Sequence, residues 1–173
     1  MTPGIFMDNF ERTTYSDEMF GILGRALTYS CRFENICKAA AALRQIKINR
    51  HIFESKTDYD KLIKQIYAKN LSKTIESFSS EKIRFEVFEK ARKARNEIVH
   101  EAALSFDCCL DELPCEIVSQ TISTLKPLVT DIATADFLLC FLTSLETHVP
   151  LPIFRPNDYV EKVMRWVFEP NIV

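Results

Sequence analysis

Glycine is scarce in this sequence, with 3 in 173 residues, and no stretch carries the pattern of a strand. Sandwiches and barrels need many tight turns, and turns favour glycine because it tolerates positive φ. The shortage therefore argues against a fold of many short strands and favours helices joined by few loops. The length is close to that of one domain, which is enough to bury a core without disulfide or metal staples.

The sequence also lacks an excess of positive charge, since its net charge is -2. No global field would attract nucleic acid, so any such contact must depend on a local patch. No Cys-x-x-Cys pair occurs, and no histidine lies between or just after the cysteines of residues 108–115, which argues against a zinc site. No basic segment followed by an apolar run marks a signal peptide. We therefore predict a cytoplasmic protein without metal or cofactor, with six free thiols at Cys31, Cys37, Cys108, Cys109, Cys115 and Cys140.

Apolar residues recur every three or four positions in four long segments, as expected for helices with one buried face. The predicted helices run from Asp17 to Lys47, from about Thr57 either on to Phe78 or to a break near Asn70, from Glu81 to Glu101, and from Pro114 to Thr147. Asn157 and Asp158 are predicted to cap a short last helix. The predicted fold is all-α, a bundle of four main antiparallel helices plus a short C-terminal helix. Residues 1–16 would form a lead-in segment and residues 17–173 a single domain.

Three local features refine this prediction. Ser16 is expected to cap the first helix, and Pro127 to kink the fourth because proline cannot donate the interior hydrogen bond. The apolar run Ile132–Leu145 is too short to span a bilayer and contains Asp136. We therefore predict a helix that is buried or faces a partner, and no membrane partner.

One segment contains residues that are candidates for catalysis. It is residues 90–101, with the sequence Lys-Ala-Arg-Lys-Ala-Arg-Asn-Glu-Ile-Val-His-Glu. If Ala91 centres the buried stripe of its helix, Arg95 lies at the edge of that stripe, and Asn96 and His100 are near neighbours four residues apart. Arg95 and His100 diverge on a straight helix. They would meet if the helix unwinds near Val99, or if two copies face each other across a seam that includes Phe85, Phe88 and Val99.

This trio suits chemistry at a phosphodiester. Histidine exchanges a proton near neutral pH, arginine clamps phosphate at two points and offsets developing charge, and asparagine orients either neighbour. The 2′-hydroxyl of RNA would lose its proton, attack the adjacent phosphorus and expel the 5′-oxygen. No metal is needed if His100 and Arg95 supply proton transfer and charge.

A helical bundle with Arg-Asn-x-x-x-His at the end of its third main helix resembles the HEPN superfamily (higher eukaryotes and prokaryotes nucleotide-binding). Arg95, Asn96 and His100 carry the resemblance. It implies a homodimer with a composite cleft, metal-independent RNase activity, and a role in toxin–antitoxin, phage-defence or RNA-processing systems. A subset of the family carries a modified tyrosine two residues after the histidine, where this sequence has Ala102. Many relatives have lost activity and act as binding modules.

The sequence thus predicts a HEPN-type endoribonuclease with catalytic Arg95, Asn96 and His100, an RNA substrate, and an antitoxin or regulatory protein as a possible partner. Arg92 and Lys93 are candidates for contacts to the RNA backbone, with a solvated face as the alternative. Glu34 is a candidate for supporting Arg95 or His100, with a structural ion pair as the alternative. The alternative function is a non-catalytic helical interaction or regulatory protein.

Overall fold

The computed structural model describes residues 13–51, 55–77, 82–102, 113–152 and 155–169, and within these ranges it contains six helices and no strand. The helices are α1 (Thr14–Asn49), α2 (Lys56–Tyr67), α3 (Leu71–Glu76), α4 (Lys82–His100), α5 (Cys115–Thr147) and α6 (Pro156–Phe168). The predicted all-α class is confirmed. Of the predicted lead-in, residues 1–12 lie outside the described ranges.

Of the two alternatives for the second predicted helix, the structure shows the break near Asn70, which divides it into α2 and α3. The Asn70 side chain accepts a hydrogen bond from the backbone N–H of Lys73 at 2.9 Å. A side-chain oxygen in this position satisfies one of the donors that every helix leaves open at its first turn. Asn70 therefore begins a new helix instead of continuing the old one.

Three predicted helix starts are corrected by the capping geometry. The cap of α1 is Thr13 and not Ser16, because Thr13 Oγ1 accepts from the Ser16 N–H at 3.1 Å while Ser16 Oγ accepts from the Thr13 N–H at 2.9 Å. Ser55 caps α2 by accepting from the N–H of Asp58. In α6, Pro156 occupies the first helical turn and the preceding residue makes no side-chain cap, so the predicted Asn157–Asp158 cap is wrong.

Helix α5 is central to the packing, because it lies against α4, α6 and α1. Its buried stripe joins those of α1 and α4 in one main core, whose fully buried members include Phe33, Phe88, Ala91, Val129 and Ile132. A smaller cluster of Ala41, Ala42 and Ile66 joins the second half of α1 to α2. Helix α1 thus takes part in both clusters.

Helix α5 remains helical through Pro127 to Thr147. Among the residues described, it is the one helix long and apolar enough to cross a membrane by length and composition, a test that the core helix of a soluble protein also passes. Asp136 lies on its buried side and is 0% exposed. At its C-terminal end, His148 adopts the left-handed conformation with φ of 59°.

Candidate active site

Helix α4 carries the candidate catalytic residues of segment 90–101. Ala91, Ala94 and Ile98 are buried, as the periodicity predicts, and Arg95 lies at the edge of this stripe with 18% of its side chain exposed. Phe88 is 0% exposed and belongs to the main core, so its predicted place in a dimer seam is wrong. The reason is that α4 packs against α5, α3 and α1, which bury a wider arc than one stripe. The side chain of Phe85 lies outside the described part of the structure.

Arg95 connects α4 to α1 through Glu34. Arg95 Nη2 donates to Glu34 Oε2 at 2.5 Å, and Arg95 Nη1 donates to Asn96 Oδ1 at 3.1 Å. The second carboxylate oxygen, Oε1, lies 2.8 Å from Lys38 Nζ. The predicted contact of Glu34 with Arg95 is thus present, while its supporting role in function stays a prediction.

The electrostatics of this group favour a charged Glu34. Burial by itself would raise the pKa of Glu34, but the hydrogen bond from Lys38 and the charge of Arg95 outweigh burial and lower that pKa. The Nε–H of Arg95 is buried and finds no acceptor among the described residues. A buried donor that lacks an acceptor costs free energy, and a bound water or anion relieves that cost.

A cleft of about 240 Å³ opens beside this guanidinium, lined by Glu34, Asn70, Leu71, Ser72, Arg92, Arg95 and Asn96. Its walls come from α1, from the start of α3 and from α4. Liquid water takes about 30 Å³ per molecule, so the cleft has room for roughly eight waters or for one phosphodiester group. Polar side chains from three helices therefore meet at one place.

Arg92 and Lys93 occupy different environments. Arg92 lines the cleft, but its guanidinium also donates to both carboxylate oxygens of Glu89 at 2.9–3.0 Å. The hydrogen bond that Arg92 donates to Glu89 is the largest influence on the pKa of Arg92 and raises it, so the side chain stays charged. Lys93 is exposed and is absent from the lining of the cleft. The structure thus brings Arg92, but not Lys93, to the Arg95 group.

His100 is exposed at the last position of α4 and does not line the cleft. Five residues along a helix correspond to about 140° around the axis and about 7.5 Å along it, so Arg95 and His100 point to different sides. Helix α4 stays helical through Val99 to His100. The alternative in which unwinding near Val99 brings the two side chains together is therefore wrong for this structure.

A second polar cluster, which sequence reasoning missed, surrounds Asp136 on α5. Its Oδ2 accepts from the Tyr29 hydroxyl at 2.9 Å, from Arg32 Nη1 at 2.5 Å and from the Tyr159 hydroxyl. Tyr29 and Arg32 come from α1, and Tyr159 comes from α6. One carboxylate therefore joins three helices.

The signal for this cluster was visible in the sequence. Asp136 falls four residues after Ile132 and three before Leu139, which places it on the buried stripe of α5. A buried carboxylate requires donors. Its donors could not be identified from the sequence, because Tyr29 and Arg32 lie more than 100 residues away along the chain.

Burial and the nearby Asp136 carboxylate raise the pKa of four groups in this region, and Tyr29 is one of them. The pKa of Tyr159 rises to about 12, the pKa of the Cys140 thiol rises to about 11, and the pKa of the Cys37 thiol also rises. Cysteines react as thiolates, so these two thiols are poor nucleophiles. Cys31 and Cys115 are exposed, and Cys108 and Cys109 lie outside the described residues.

Within the described ranges, no group of three or more His, Cys, Asp or Glu side chains is arranged to hold a metal ion. Comparison with protein-family models, with curated proteins and with solved structures found no match to this chain.

Proposed function

We propose that this chain is a metal-independent endoribonuclease of the HEPN type that acts as a homodimer. Arg95 holds the scissile phosphate, Asn96 orients the Arg95 guanidinium, and His100 of the partner subunit transfers protons. In this proposal, the helices α1, α2 with α3, α4 and α5 serve as the four-helix bundle of that family, and α6 is the short C-terminal helix. The setting is the cytoplasm, in a toxin–antitoxin, phage-defence or RNA-processing system.

The observation that carries the proposal is the state of the Arg95 guanidinium. It lines a polar cleft, it is held in place by Glu34 and Asn96, and its buried Nε–H has no acceptor among the described residues. A positioned guanidinium beside a polar cleft is suited to a phosphate oxygen, because arginine donates in a planar fork. Arg92 adds a second positive charge at the same cleft.

The geometry of α4 supports the requirement for two copies. Because Arg95 and His100 diverge on one helix, a single chain cannot direct both side chains at one phosphate. An exposed His100 is available to the cleft of a second copy. A composite site of this kind also makes activity depend on dimer formation.

The reaction balances without a co-reactant. The imidazole of His100 takes the proton from the 2′-hydroxyl, the 2′-oxygen forms a bond to phosphorus, and the bond from phosphorus to the 5′-oxygen breaks. The leaving 5′-oxygen takes the proton back from the imidazolium of His100, which regenerates the neutral imidazole, and Arg95 offsets the charge that develops on the phosphate. The products are a 2′,3′-cyclic phosphate end and a 5′-hydroxyl end.

The test is cleavage of RNA by the purified protein in EDTA, with the ends identified by mass spectrometry. We expect 2′,3′-cyclic phosphate ends. We also expect His100→Ala to reduce the rate of cleavage at least about a hundredfold, because general acid–base catalysis contributes about that much. His51→Ala is the matched control, since His51 is also exposed but lies at the end of α1. A folded dimer that leaves RNA intact would contradict the proposal.

A second candidate function is a non-catalytic interaction or regulatory domain with the same fold. The observation that favours it is that Glu34 already neutralises Arg95, so the ion pair is satisfied without a ligand. Expression in a bacterial host distinguishes the two functions. Growth arrest that disappears with Arg95→Ala or His100→Ala supports the nuclease, whereas harmless expression together with a stable protein partner supports the regulator.

A further inference from the structure

The charge of this chain is distributed unevenly. Residues 38–73 contain nine Lys or Arg and three Asp or Glu, a net charge of +6, although the whole chain carries -2. This segment comprises the last third of α1, all of α2 and the first half of α3. The positive charge is therefore concentrated in one part of the fold, which contains neither Arg95 nor His100 but borders the Arg95 cleft through Asn70, Leu71 and Ser72.

A groove of about 430 Å³ runs between α1 and α2 in this corner. On the α2 side, Tyr59, Ile63 and Tyr67 line the groove at intervals of four residues, which places them in a row along one face of the helix. On the α1 side, the lining is apolar and includes Leu43 and Ile46. The floor of the groove is thus apolar, with an aromatic ring near each end.

The two tyrosines are accessible despite their size. Tyr59 is 42% exposed and Tyr67 is 45% exposed. Eight residues of helix separate them by about 12 Å along the axis. This spacing leaves room for more than one planar group to contact the row.

Exposed lysines lie on α2 and next to it. Lys64 lines the groove, and Lys56, Lys61 and Lys69 are also exposed on or next to α2. None of these four forms an ion pair with another described residue, in contrast to Lys38 and Lys47, which pair with Glu34 and Glu146. The lining of the groove carries one charge of each sign, Lys64 and Asp60, so the excess of positive charge comes from the other lysines of this segment.

We propose that the α1–α2 groove is a binding surface for single-stranded nucleic acid. A strand of nucleic acid combines a chain of phosphates with planar bases, and proteins that bind it pair a basic groove with aromatic side chains on which bases stack. Here the lysines meet the phosphates, and Tyr59 and Tyr67 meet the bases. An acidic peptide would use the lysines but leave the row of aromatic rings without a matching group.

The groove leads towards the Arg95 cleft. Tyr67 is the last residue of α2, and Asn70, three residues later, lines the cleft. Three residues span at most about 11 Å even when fully extended. A strand held in the groove therefore passes close to the cleft. The groove is nevertheless a separate surface, and binding there does not require that the protein cleave RNA.

The test uses a fluorescent oligothymidylate of about 20 nucleotides, long enough to exceed the usual site size of such grooves. DNA lacks the 2′-hydroxyl, so the proposed reaction cannot consume this probe, and binding is measured independently of nuclease activity. An abasic oligonucleotide of equal length carries the same phosphates without bases. We expect fluorescence anisotropy to show at least tenfold tighter binding of oligothymidylate than of the abasic strand.

Variants separate stacking from charge. Tyr67→Ala should remove most of the preference for oligothymidylate over the abasic strand, and Tyr67→Phe should preserve it because the ring remains. The double variant Lys56→Glu/Lys64→Glu, at two exposed lysines on the face of α2 that carries the row, should weaken binding of both probes and reduce the dependence of affinity on salt, since fewer counterions are released. Lys162 is an exposed lysine on α6, and Lys162→Glu is the matched control. It should change neither the affinity for the two probes nor its dependence on salt. Thermal melts confirm that each variant is folded.

Several results would overturn the proposal. One such result is equal affinity for the two probes. Another is that Lys162→Glu weakens binding as much as the double lysine variant of the groove. A third is preferential binding of polyglutamate or phosphatidylserine vesicles through the same lysines. If the protein cleaves RNA while the groove variants leave oligothymidylate binding unchanged, the groove proposal fails and the nuclease proposal stands. If oligothymidylate binds as expected but RNA stays intact, the nuclease proposal fails and the groove proposal stands.

Discussion

Two ion pairs extend from neighbouring positions of α1, and they differ in nearly every physical respect. Glu34 supplies the carboxylate that holds Arg95 on α4, whereas Arg32 supplies the guanidinium that meets Asp136 on α5. In the first pair, both side chains are partly exposed, at 18% and 19%, and a cleft adjoins them. In the second, Asp136 is fully buried and two tyrosine hydroxyls complete its hydrogen bonds.

The difference separates a structural anchor from a site that can accept a ligand. The carboxylate of Asp136 accepts three strong donors, so little remains for a ligand to gain there. The guanidinium of Arg95 keeps a buried donor without an acceptor and has open volume beside it. Because buried polar groups are nearly always satisfied in stable cores, an unsatisfied donor beside a cleft is a better indicator of function than a buried charge alone.

The largest expected effect comes from removing the anchor. Asp136→Ala leaves the hydroxyls of Tyr29 and Tyr159 without their acceptor, whereas the Arg32 side chain is 47% exposed and can turn to solvent. The free energy of unfolding should therefore fall by about 2–3 kcal/mol. Urea denaturation followed by circular dichroism measures this loss. Asp131→Ala, at a partly exposed aspartate on the same helix, is the control and should cost less than about 1 kcal/mol. A small loss at Asp136 would show that the cluster is not an anchor.

The corresponding change at the cleft should be milder for stability. Arg95→Met keeps the apolar stem of the side chain, leaves Glu34 paired with Lys38, and removes a buried donor that had no acceptor. We expect a loss of about 1 kcal/mol in the free energy of unfolding, as for partly exposed ion pairs, together with loss of RNA cleavage. If Arg95→Met destabilises the protein as much as Asp136→Ala, the two clusters are alike, and the regulatory function becomes the better proposal.

The smallest expected effect is a difference between the two regions in how their contribution to stability depends on pH. The pKa of Glu34 is lowered in the folded protein, so the ion pair contributes stability above the ordinary value of 4.5 and loses it as the pH falls below that value. The pKa of Tyr159 is raised from 10.0 to about 12, so its contribution is present below pH 10 and is lost as the pH rises through 12. Acid should therefore weaken the cleft first, and alkali the Asp136 cluster.

Two variants check this assignment in thermal melts recorded across the pH range. Glu34→Gln should flatten the acid side of the stability profile, and Tyr159→Phe should flatten the alkaline side. Each variant serves as the control for the other. Identical profiles for both variants would mean that neither cluster governs the response to pH.

Helical periodicity was sufficient to locate much of the core. The three-and-four spacing on α4 correctly placed Ala91, Ala94 and Ile98 inside, because that pattern follows directly from the turn of the helix. Phe88 was misplaced, because the width of the buried arc depends on how many helices cover it, and three cover α4. The start of α1 was misplaced because capping depends on a reciprocal pair, and Ser16 forms the inner half of that pair.

The candidate site could be predicted only in part. Arg95, Asn96 and His100 are neighbours in sequence, so helix geometry alone predicted that Arg95 and His100 diverge. The walls that Asn70 and Ser72 contribute come from another helix, and their proximity depends on packing that no local pattern encodes. The same is true of Asp136, whose position on a buried stripe was readable but whose donors lie on α1 and α6.

Arg32 and Glu34, two residues apart on α1, lie about 200° apart around its axis, on nearly opposite sides. The helix therefore cannot turn about its axis to relax one ion pair without displacing the other. The position of the Glu34 carboxylate, and with it the position of the Arg95 guanidinium at the cleft, therefore depends in part on the ion pair between Arg32 and Asp136 on the other side of the helix.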